Sequence, residues 1–383
     1  MTWTMEAFDQ HGKRRDVEFS RSAEWLRGEG DAADVVLSSR VRLARNLAGQ
    51  PFAPKATRQD RQQTLEQVRS IAFRAKLVPE LLWIDLHEAG PLERTLLVER
   101  HLISKQHSKG RSASGGPAAD EPRALAFSFP DERFSAMINE EDHLRLQVIR
   151  SGLALSEAWK VIDTVDDRIE ESLDYAFSDR FGYLTACPTN VGTGLRMSVM
   201  LHLPGLRLTG DIDKVKRAAQ DMSLAVRGFY GEGSEAVGDL YQLSNQTTLG
   251  KSETQILEEL QGEILPRIIE YERISRRELL AKRRIGMDDS VWRALGTLTH
   301  ARLLTTEEAM QLLSMVRFGI LIGLIKGLQQ TVVNQLMLLA QPAHLQRAVG
   351  KELAQEQRRI ARATLLRGEL LRHLDGRAPR NGE

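Results

Sequence analysis

Three consecutive carboxylates stand at Glu140, Glu141 and Asp142, beside an imidazole at His143 and a guanidinium at Arg145. Apolar residues on both sides should anchor this segment in a core. Because an unpaired buried carboxylate is costly, the segment is either a solvated surface turn or a site that binds cationic groups. The segment alone leaves both interpretations open, and the other polar residues of the chain bear on the choice.

Arginines recur on segments whose alternating pattern predicts strands, and one more precedes a glycine-rich stretch. The five candidates are Arg40, Arg42, Arg145, Arg196 and Arg227. Every second side chain of a strand shares a face, so those within one strand should point the same way. Guanidinium groups match phosphate oxygens in bidentate pairs, and five converging on one place would hold a triphosphate. The alternative for the pair in 35–43 is a solvated sheet face.

Two common phosphoryl-transfer designs are absent from the sequence. It contains neither the Walker pattern Gly-x-x-x-x-Gly-Lys-Ser/Thr nor the His-Arg-Asp signature of protein kinases. The single cysteine, Cys187, excludes internal disulfides and cysteine-rich zinc sites, and it fits a reducing cytoplasm. Cys187 is therefore either a reactive thiol or a small core residue.

The composition allows two domains, or one large domain with an appendage, in 383 residues. With 42% hydrophobic and 27% charged residues the chain can bury a core, and its net charge of +1 gives no global attraction to nucleic acid or an anionic membrane. The amino terminus lacks an apolar signal segment, and the most apolar run, 318–328, is too short to span a bilayer. We expect a cytoplasmic protein without membrane or nucleic-acid partners.

The spacing of apolar residues predicts the elements that position these groups. Strands are predicted over 35–43, 96–104, 124–129, 183–186, 195–202 and 240–248, and helices over 57–77 and 211–227. Another amphipathic helix should begin with Ser156 as its N-cap. The stretch from Lys105 to Pro122 is rich in Lys, Ser and Gly and is predicted to be a mobile loop, either a lid or a plain connection.

From residue 252 onward the pattern is nearly all helical. Capping signals lie at Ser252 and Thr305, Pro266 should kink or restart the first helix, and Pro342 suits a helix start. We therefore predict two domains, 1–252 and 253–383. The second domain is either a module that docks partners or ordinary structural packing.

Several of these segments together resemble the phosphagen (ATP:guanido) kinase family, which includes creatine and arginine kinases. The motifs are Ser38-Ser39-Arg40-Val41-Arg42, Asn139-Glu140-Glu141-Asp142-His143-Leu144-Arg145, Cys187-Pro188-Thr189-Asn190, Gly192-Thr193-Gly194 and Arg227-Gly228. Segments 99–104, 230–235 and 244–246 resemble its bacterial protein-arginine kinase branch. The resemblance runs from about residue 35 to 250 and continues more weakly through the tail. It implies an α+β fold: a mainly antiparallel, glutamine synthetase-like catalytic sheet flanked by helices, with an all-α C-terminal domain.

The resemblance also implies roles for individual residues. The five arginines would bind the phosphates of ATP together with Ser39 and His101, although burial tendencies favour core positions for His101, Trp159 and Trp292. Glu141 and Glu232 would bind the acceptor guanidinium, and Glu141 would assist its deprotonation. Cys187 would be the reactive family cysteine, a thiolate stabilised by cationic neighbours. Mg²⁺ should arrive with ATP.

The function implied is phosphorylation of arginine residues in proteins. Small-molecule members carry a helical domain ahead of the Ser-Ser-Arg motif, which here begins at Ser38, so an open acceptor pocket is expected. Two alternatives are a kinase for free arginine or another small guanidine, and a catalytically silent adaptor. In the tail, Arg358 and Arg362 match the two arginines of the family's phosphoarginine-sensing pattern Arg-Asp-x-x-Arg-Ala. This chain has Arg359 where that pattern has the acid, so allosteric sensing by Arg358 and Arg362 is a hypothesis.

The resemblance implies partners as well. They are protein substrates with exposed arginines, a zinc-containing activator protein, an ATP-dependent protease and a second copy in a homodimer. The cellular role implied is stress response and protein quality control through regulated proteolysis. The basic tail residues Arg358, Arg359, Arg362 and Arg367 lack interleaved aromatics, so no nucleic-acid partner is expected.

Overall fold

One antiparallel sheet organises the first two thirds of the chain. The computed structural model describes residues 5–19, 23–53, 55–110, 120–228 and 237–374. The strands are β1 Met5–Phe8, β2 Arg14–Val17, β3 Val36–Arg45, β4 Leu81–Asp85, β5 Ala124–Ser128, β6 Phe134–Ile138, β7 Leu144–Ser151, β8 Phe177–Ser178, β9 Gly182–Tyr183, β10 Leu195–His202, β11 Leu224–Gly228 and β12 Leu240–Asn245. Ten of these described strands form the sheet in the order β11-β12-β10-β3-β7-β6-β5-β4-β1-β2. β8 and β9 pair separately.

Helices flank the sheet and predominate after residue 252. They are α1 Arg58–Arg74, α2 Pro91–Glu99, α3 Lys105–Lys109, α4 Leu155–Glu170, α5 Pro204–Thr209, α6 Ile212–Asp221, α7 Glu253–Leu257, α8 Leu265–His300, α9 Thr306–Leu321, α10 Gln330–Leu339, α11 Pro342–Val349 and α12 Gln355–Leu374. Short 3-10 turns lie at Glu24–Leu26 and Pro188–Asn190, and a π-helical segment, Glu258–Ile264, joins α7 to α8. The predicted class, an antiparallel sheet with flanking helices and a helical C-terminal region, is confirmed.

The predicted helix signals after residue 252 are also confirmed. The Ser252 hydroxyl accepts from the backbone N–H of Gln255 at 3.2 Å, and the Thr305 hydroxyl accepts from that of Glu308 at 3.1 Å. Pro342 opens α11. These positions could be read from sequence because a cap depends only on residues three apart.

Two predicted elements are wrong. Segment 96–104 is not a strand: α2 runs through Glu99, with Pro91 in its first turn and the Glu93 carboxylate accepting from the backbone N–H of Gly90. A short apolar run does not distinguish a strand from a buried helical turn. The helix predicted over 211–227 ends at Asp221, and 224–228 forms β11.

Two smaller predictions also need correction. The N-cap of α4 is Ala154 rather than Ser156. The first part of the predicted loop from Lys105 to Pro122 is α3, because the Ser104 hydroxyl accepts from the backbone N–H of His107 at 2.9 Å. Residues 111–119 of that segment lie outside the described ranges.

Three apolar cores support the fold, and the third packs α2 and Ala343 of α11 against the sheet. The first lies between the sheet and helices α1 and α4, and it continues through Ile256, Leu260 and Ile269 beyond residue 252. The second lies among helices α8, α9, α10 and α12 and takes in Trp25 and Leu26 from the amino-terminal segment. The boundary near residue 252 stays a prediction. None of the helices in the described part of the chain combines the length and apolar character needed to cross a membrane.

Candidate active site

Five neighbouring strands present polar side chains on one face of the sheet. Arg42 on β3 is the register partner of Arg196 on β10, and Arg40 is the partner of Ser198. At the outer edge, Arg227 on β11 pairs with Gln242 on β12. The predicted alternation places these groups on one face because antiparallel partners project to the same side.

This face forms the floor of an open cleft that encloses about 800 Å³. α2, α3 and the 3-10 turn at Pro188–Asn190 contribute to its walls. Its polar lining brings together most of the residues singled out in the sequence: Arg40, Arg42, His101, Glu140, Glu141, Arg145, Cys187, Arg196 and Arg227. Five separate stretches of sequence, 40–42, 101, 140–145, 187–196 and 227, therefore meet at one site.

The arginines repel one another in the absence of an anion. Burial, together with the charges of Arg145, Arg196 and Arg227, lowers the pKa of Arg40 to about 10. Burial and the neighbouring guanidinium groups likewise hold the pKa of Arg42 well below its usual value. The buried Nε of Arg42 has no hydrogen-bond partner among the described residues. The cluster is thus built for a polyanion that supplies the missing acceptors.

Added triphosphate should stabilise the protein strongly. A ligand at 100 times its dissociation constant contributes about 2.7 kcal/mol to the free energy of unfolding, and inorganic tripolyphosphate offers the oxygen acceptors that the arginines need. Thermal unfolding should shift upward with tripolyphosphate and ATP, and much less with adenosine at the same concentration and ionic strength. Equal shifts with adenosine would show that the arginine cluster is not the binding site.

The acidic stretch is the five-residue turn between β6 and β7. Asn139 adopts φ 60°, a left-handed conformation that asparagine tolerates. Its side-chain amide donates to the carbonyl oxygens of Arg61 at 2.8 Å and Pro122 at 3.0 Å. His143 closes the turn and accepts the backbone N–H of Leu47 at its Nδ1. Hydrogen bonds to residues outside the turn therefore fix its conformation, and the turn holds the carboxylates at the cleft.

Glu140 and Glu141 have different environments. Glu140 is buried: its Oε1 accepts from the Ser104 hydroxyl at 2.6 Å, and its Oε2 accepts the backbone N–H of Glu141 at 2.7 Å. The same Oε2 lies 2.9 Å from Nη1 of Arg145. Glu141 is partly exposed in the cleft, and its Oε2 accepts from Nη2 of Arg145 at 2.8 Å. Glu140 holds the turn in place, whereas Glu141 is paired with Arg145 and exposed to the cleft.

The two carboxyl groups differ in proton affinity. Burial alone would raise the pKa of Glu140, but Arg145, His107 and the Ser104 hydroxyl outweigh it, and the pKa lies below its usual value. Burial raises the pKa of Glu141, and the charge of Glu140 adds to the effect, despite the opposing charge of Arg145. Two adjacent carboxyl groups with opposite shifts are typical of divided roles, in which the raised one accepts a proton.

Asp142 connects the acidic turn to the cysteine loop. It is fully buried, and its Oδ1 accepts from the side-chain amide of Asn46 and from the backbone N–H of Ala186, both at 2.7 Å. Burial raises its pKa. Cys187 follows Ala186 at the cleft wall, with its Sγ 3.0 Å from the Thr189 hydroxyl. Asp142 therefore positions the loop that carries Cys187.

The remaining predicted residues lie in different places. His101 lines the cleft, and burial, with the charge of Arg40, lowers its pKa to about 3, so its imidazole is neutral. Ser39 lies on the other face of β3, where its hydroxyl donates to the Gly152 carbonyl at 2.8 Å and accepts the backbone N–H of Ala154 at 2.9 Å. Glu232 lies outside the described residues.

The two predicted tail arginines lie on α12, away from the cleft lining. Arg362 is buried and donates to the carbonyl oxygens of Ala340 at 2.6 Å and Leu304 at 2.9 Å. Arg358 donates to the Leu353 carbonyl and lines a surface groove between α2, α11 and α12. Sensing of phosphoarginine by this pair stays a hypothesis.

Sequence reasoning missed three cleft residues. Gln242 accepts from Nη2 of Arg40 at 3.1 Å, and Ser104 orients Glu140. Gln106 adds a polar group to the wall. Alternation along 240–248 could have pointed to Gln242. Ser104 lies in the segment 99–104 already singled out, but its role could not be read locally because its partner lies 36 residues away.

Two family descriptions match the chain. Residues 65–275 match the ATP:guanido phosphotransferase C-terminal catalytic domain, and residues 284–379 match the protein-arginine kinase McsB C-terminal domain. The first match covers most of the cleft-forming strands. The second covers α8 from residue 284 onward and the helices that follow.

Similar proteins agree with these matches. A protein-arginine kinase of Symbiobacterium thermophilum is 45% identical over 91% of this chain and 96% of its own length. A protein-arginine kinase of Moorella thermoacetica is 46% identical over 93% of this chain and 99% of its own length. The duplicated taurocyamine kinase of Schistosoma mansoni superimposes with a TM-score of 0.55 at 27% identity, over 62% of this chain and 33% of that chain. The chain therefore belongs to the ATP:guanido phosphotransferase family and, within it, to the protein-arginine kinases.

Proposed function

We propose that this chain transfers the γ-phosphoryl group of ATP to a guanidino nitrogen of arginine residues in proteins. The main support for this proposal is the set of residues that line the cleft. Five arginines line one part of it, and Glu141, a carboxyl group with a raised pKa, lies beside Arg145 at its edge. A polyanionic donor and a cationic acceptor would meet there. The relatives named as protein-arginine kinases support the choice of acceptor.

On the donor side, the guanidinium groups neutralise the charge that spreads over the transferring phosphoryl group. Such preorganised donors act in the transition state without reorganisation, which makes them effective catalysts. Arg145 already shares its two terminal nitrogens between Glu140 and Glu141. Contact with a phosphate oxygen would loosen its bond to Glu141 and leave that carboxylate available to the acceptor.

On the acceptor side, the guanidinium must be fixed and deprotonated. It is protonated at physiological pH and its lone pairs are delocalised, so it is a poor nucleophile. Glu141 would bind it, aim one nitrogen in line with the γ-phosphorus and take its proton as the N–P bond forms and the bond from phosphorus to the β-γ bridging oxygen breaks. ADP leaves with that oxygen. Glu232 would supply the second carboxylate.

Magnesium fits this site as a companion of the nucleotide. Among the described residues, no three His, Cys, Asp or Glu side chains are grouped so that they could hold a metal ion. Mg²⁺ keeps several waters and binds phosphate oxygens readily, and it would supply charge neutralisation for the phosphates of ATP. The protein would then contribute the arginines and Glu141.

The raised pKa of Glu141 predicts an acid limb in the pH profile. Glu141 accepts a proton only when it is ionised, so kcat/KM should fall as the pH drops through a pKa above the usual glutamate value. The limb should be measured with a protein acceptor at constant MgATP. It should disappear in Glu141→Gln, which has no titrating carboxyl group. A wild-type limb at or below the usual glutamate pKa would argue against Glu141 as the base.

A comparison of three acceptors tests the proposed function. The chain would be incubated with MgATP and, separately, with free arginine, a short arginine peptide with blocked termini, and casein. We expect transfer to casein and to the peptide, because an open cleft accommodates the chain on either side of the arginine. Transfer to free arginine alone would identify a small-guanidine kinase. ATP binding without transfer to any acceptor would identify an adaptor.

The proposal also covers the location, oligomeric state and cellular role of the chain. We place the chain in the cytoplasm as a homodimer that marks proteins for an ATP-dependent protease, with a zinc-containing activator protein. The resemblance of its motifs to the bacterial branch supports this role. A mass near twice that of the chain in sedimentation analysis would support the dimer, and a monomer at micromolar concentration would refute it.

A further inference from the structure

An amino-terminal tryptophan lies directly behind the cleft. Trp25 sits in the 3-10 turn Glu24–Leu26, and only 3% of its surface is exposed. Its ring meets the imidazole of His101 edge to face, with centroids 4.7 Å apart and planes at 84°. His101 in turn lines the cleft near Arg40. The tryptophan does not line this cleft, yet it touches a residue that does.

The turn that carries Trp25 is held by the C-terminal helices. Trp25 and Leu26 belong to the apolar core among α8, α9, α10 and α12. The Leu26 carbonyl accepts from the side-chain amide of Asn334 at 3.1 Å, and the Gly28 carbonyl accepts from that of Gln330 at 3.2 Å. Both donors are on α10. The position of the tryptophan therefore follows the position of α10.

His101 has little freedom of its own. Its backbone adopts φ 60°, which is rare for a residue other than glycine. Its carbonyl accepts from the side-chain amide of Gln147 at 2.7 Å, and Gln147 is the register partner of Arg42 on the cleft floor. Between Trp25, His101 and Arg40 there remains a cavity of only about 20 Å³, close to the size of one water. The imidazole is held between the tryptophan ring and the part of the cleft floor that carries Arg40.

We propose that Trp25 is a positioning residue of the nucleotide site, which fixes His101 against Arg40 and ties the donor side of the cleft to α10. The inference rests on the proposed function only in taking ATP as the donor. Loss of the aromatic ring would let the imidazole move, and the nucleotide would meet a less ordered site. The acceptor side, built on the turn between β6 and β7, would be unaffected.

The test compares three variants by direct ATP binding and by steady-state kinetics. Trp25→Leu removes the ring but keeps an apolar side chain, Trp25→Phe keeps an aromatic edge, and Leu366→Ala weakens the same apolar core from α12. An edge-to-face pair contributes about 0.5–1.5 kcal/mol, which corresponds to a rise of roughly two- to tenfold in the dissociation constant of ATP. We expect that rise in Trp25→Leu, with KM for the protein acceptor unchanged. Trp25→Phe should recover most of the affinity.

Leu366→Ala separates positioning from general stability. It should lower the melting temperature and leave the affinity for ATP at the wild-type value. An equal loss of ATP affinity in Leu366→Ala, or wild-type affinity in Trp25→Leu, would overturn the proposal. If Trp25→Leu does not fold, Gln330→Ala loosens the turn while keeping the ring, and unchanged ATP affinity there would equally contradict it. A wild-type chain that binds ATP without phosphorylating proteins would refute the proposed function alone.

Discussion

The Glu141→Gln variant should bind ATP as the wild type does and lose phosphoryl transfer by about 10²- to 10⁴-fold, the range that a positioned general base contributes. Glutamine keeps the size of the side chain and can still hydrogen-bond to the acceptor. It cannot take the proton that must leave the guanidinium before the nitrogen attacks. Single-turnover transfer to casein and calorimetric titration with ATP would measure the two quantities separately.

A matched control for this variant is Glu157→Gln on α4, where the carboxylate is exposed and takes no part in the cleft. It should behave as the wild type in both measurements. If Glu141→Gln kept near-normal transfer, the assignment of the base would be wrong. If it lost ATP binding as well, Glu141 would be acting mainly through Arg145, with which it shares a hydrogen bond of 2.8 Å.

The Arg42→Met variant should lose activity while the ligand-free protein becomes no less stable. Removal of one preorganised donor from a charge-stabilising site costs about 10²- to 10³-fold in rate. The folded-state pKa of Arg42 lies below its usual value, so the protonated guanidinium opposes folding at every pH below that pKa. Methionine removes the charge and fills similar space. Activity should therefore fall without a loss of stability.

Thermal unfolding with and without tripolyphosphate measures the stability part of this prediction. Without the anion, Arg42→Met should melt at the wild-type temperature or above it. With the anion, its stabilisation should be smaller than that of the wild type. Arg58→Met on α1, an exposed arginine whose side chain pairs with Asp120, is the control. A ligand-free Arg42→Met that melts well below Arg58→Met would show that the arginine cluster is not repulsive.

Much of the candidate site could be predicted because it depends on alternation along strands. Arg40 and Arg42 are two residues apart in β3, so their side chains lie on the same face of the strand. Arg196 lies in a strand with the same alternating pattern, so its side chain could be predicted to lie on the polar face of that strand. The difference between Glu140 and Glu141 could not be read locally. It depends on Ser104 and on the depth at which each carboxyl group is buried, and both are set by tertiary packing.

Less of the fold than of the site could be predicted from the sequence. Which strands are neighbours depends on pairing between distant segments: β3 lies between β7 and β10, which follow it by about a hundred and a hundred and fifty residues. The helix α2 was missed because Leu96, Leu97 and Val98 are consecutive apolar residues without a visible period. The role of Trp25 depends on α10, about three hundred residues later.

Localisation of the transferred phosphate tests the central claim most directly. Casein would be incubated with the chain and MgATP, digested at neutral pH and analysed by mass spectrometry that preserves acid-labile phosphate. We expect phosphate on arginine side chains, and none when Glu141→Gln replaces the wild type. Phosphate confined to serine, threonine or tyrosine, or unmodified casein beside phosphorylated free arginine, would contradict it.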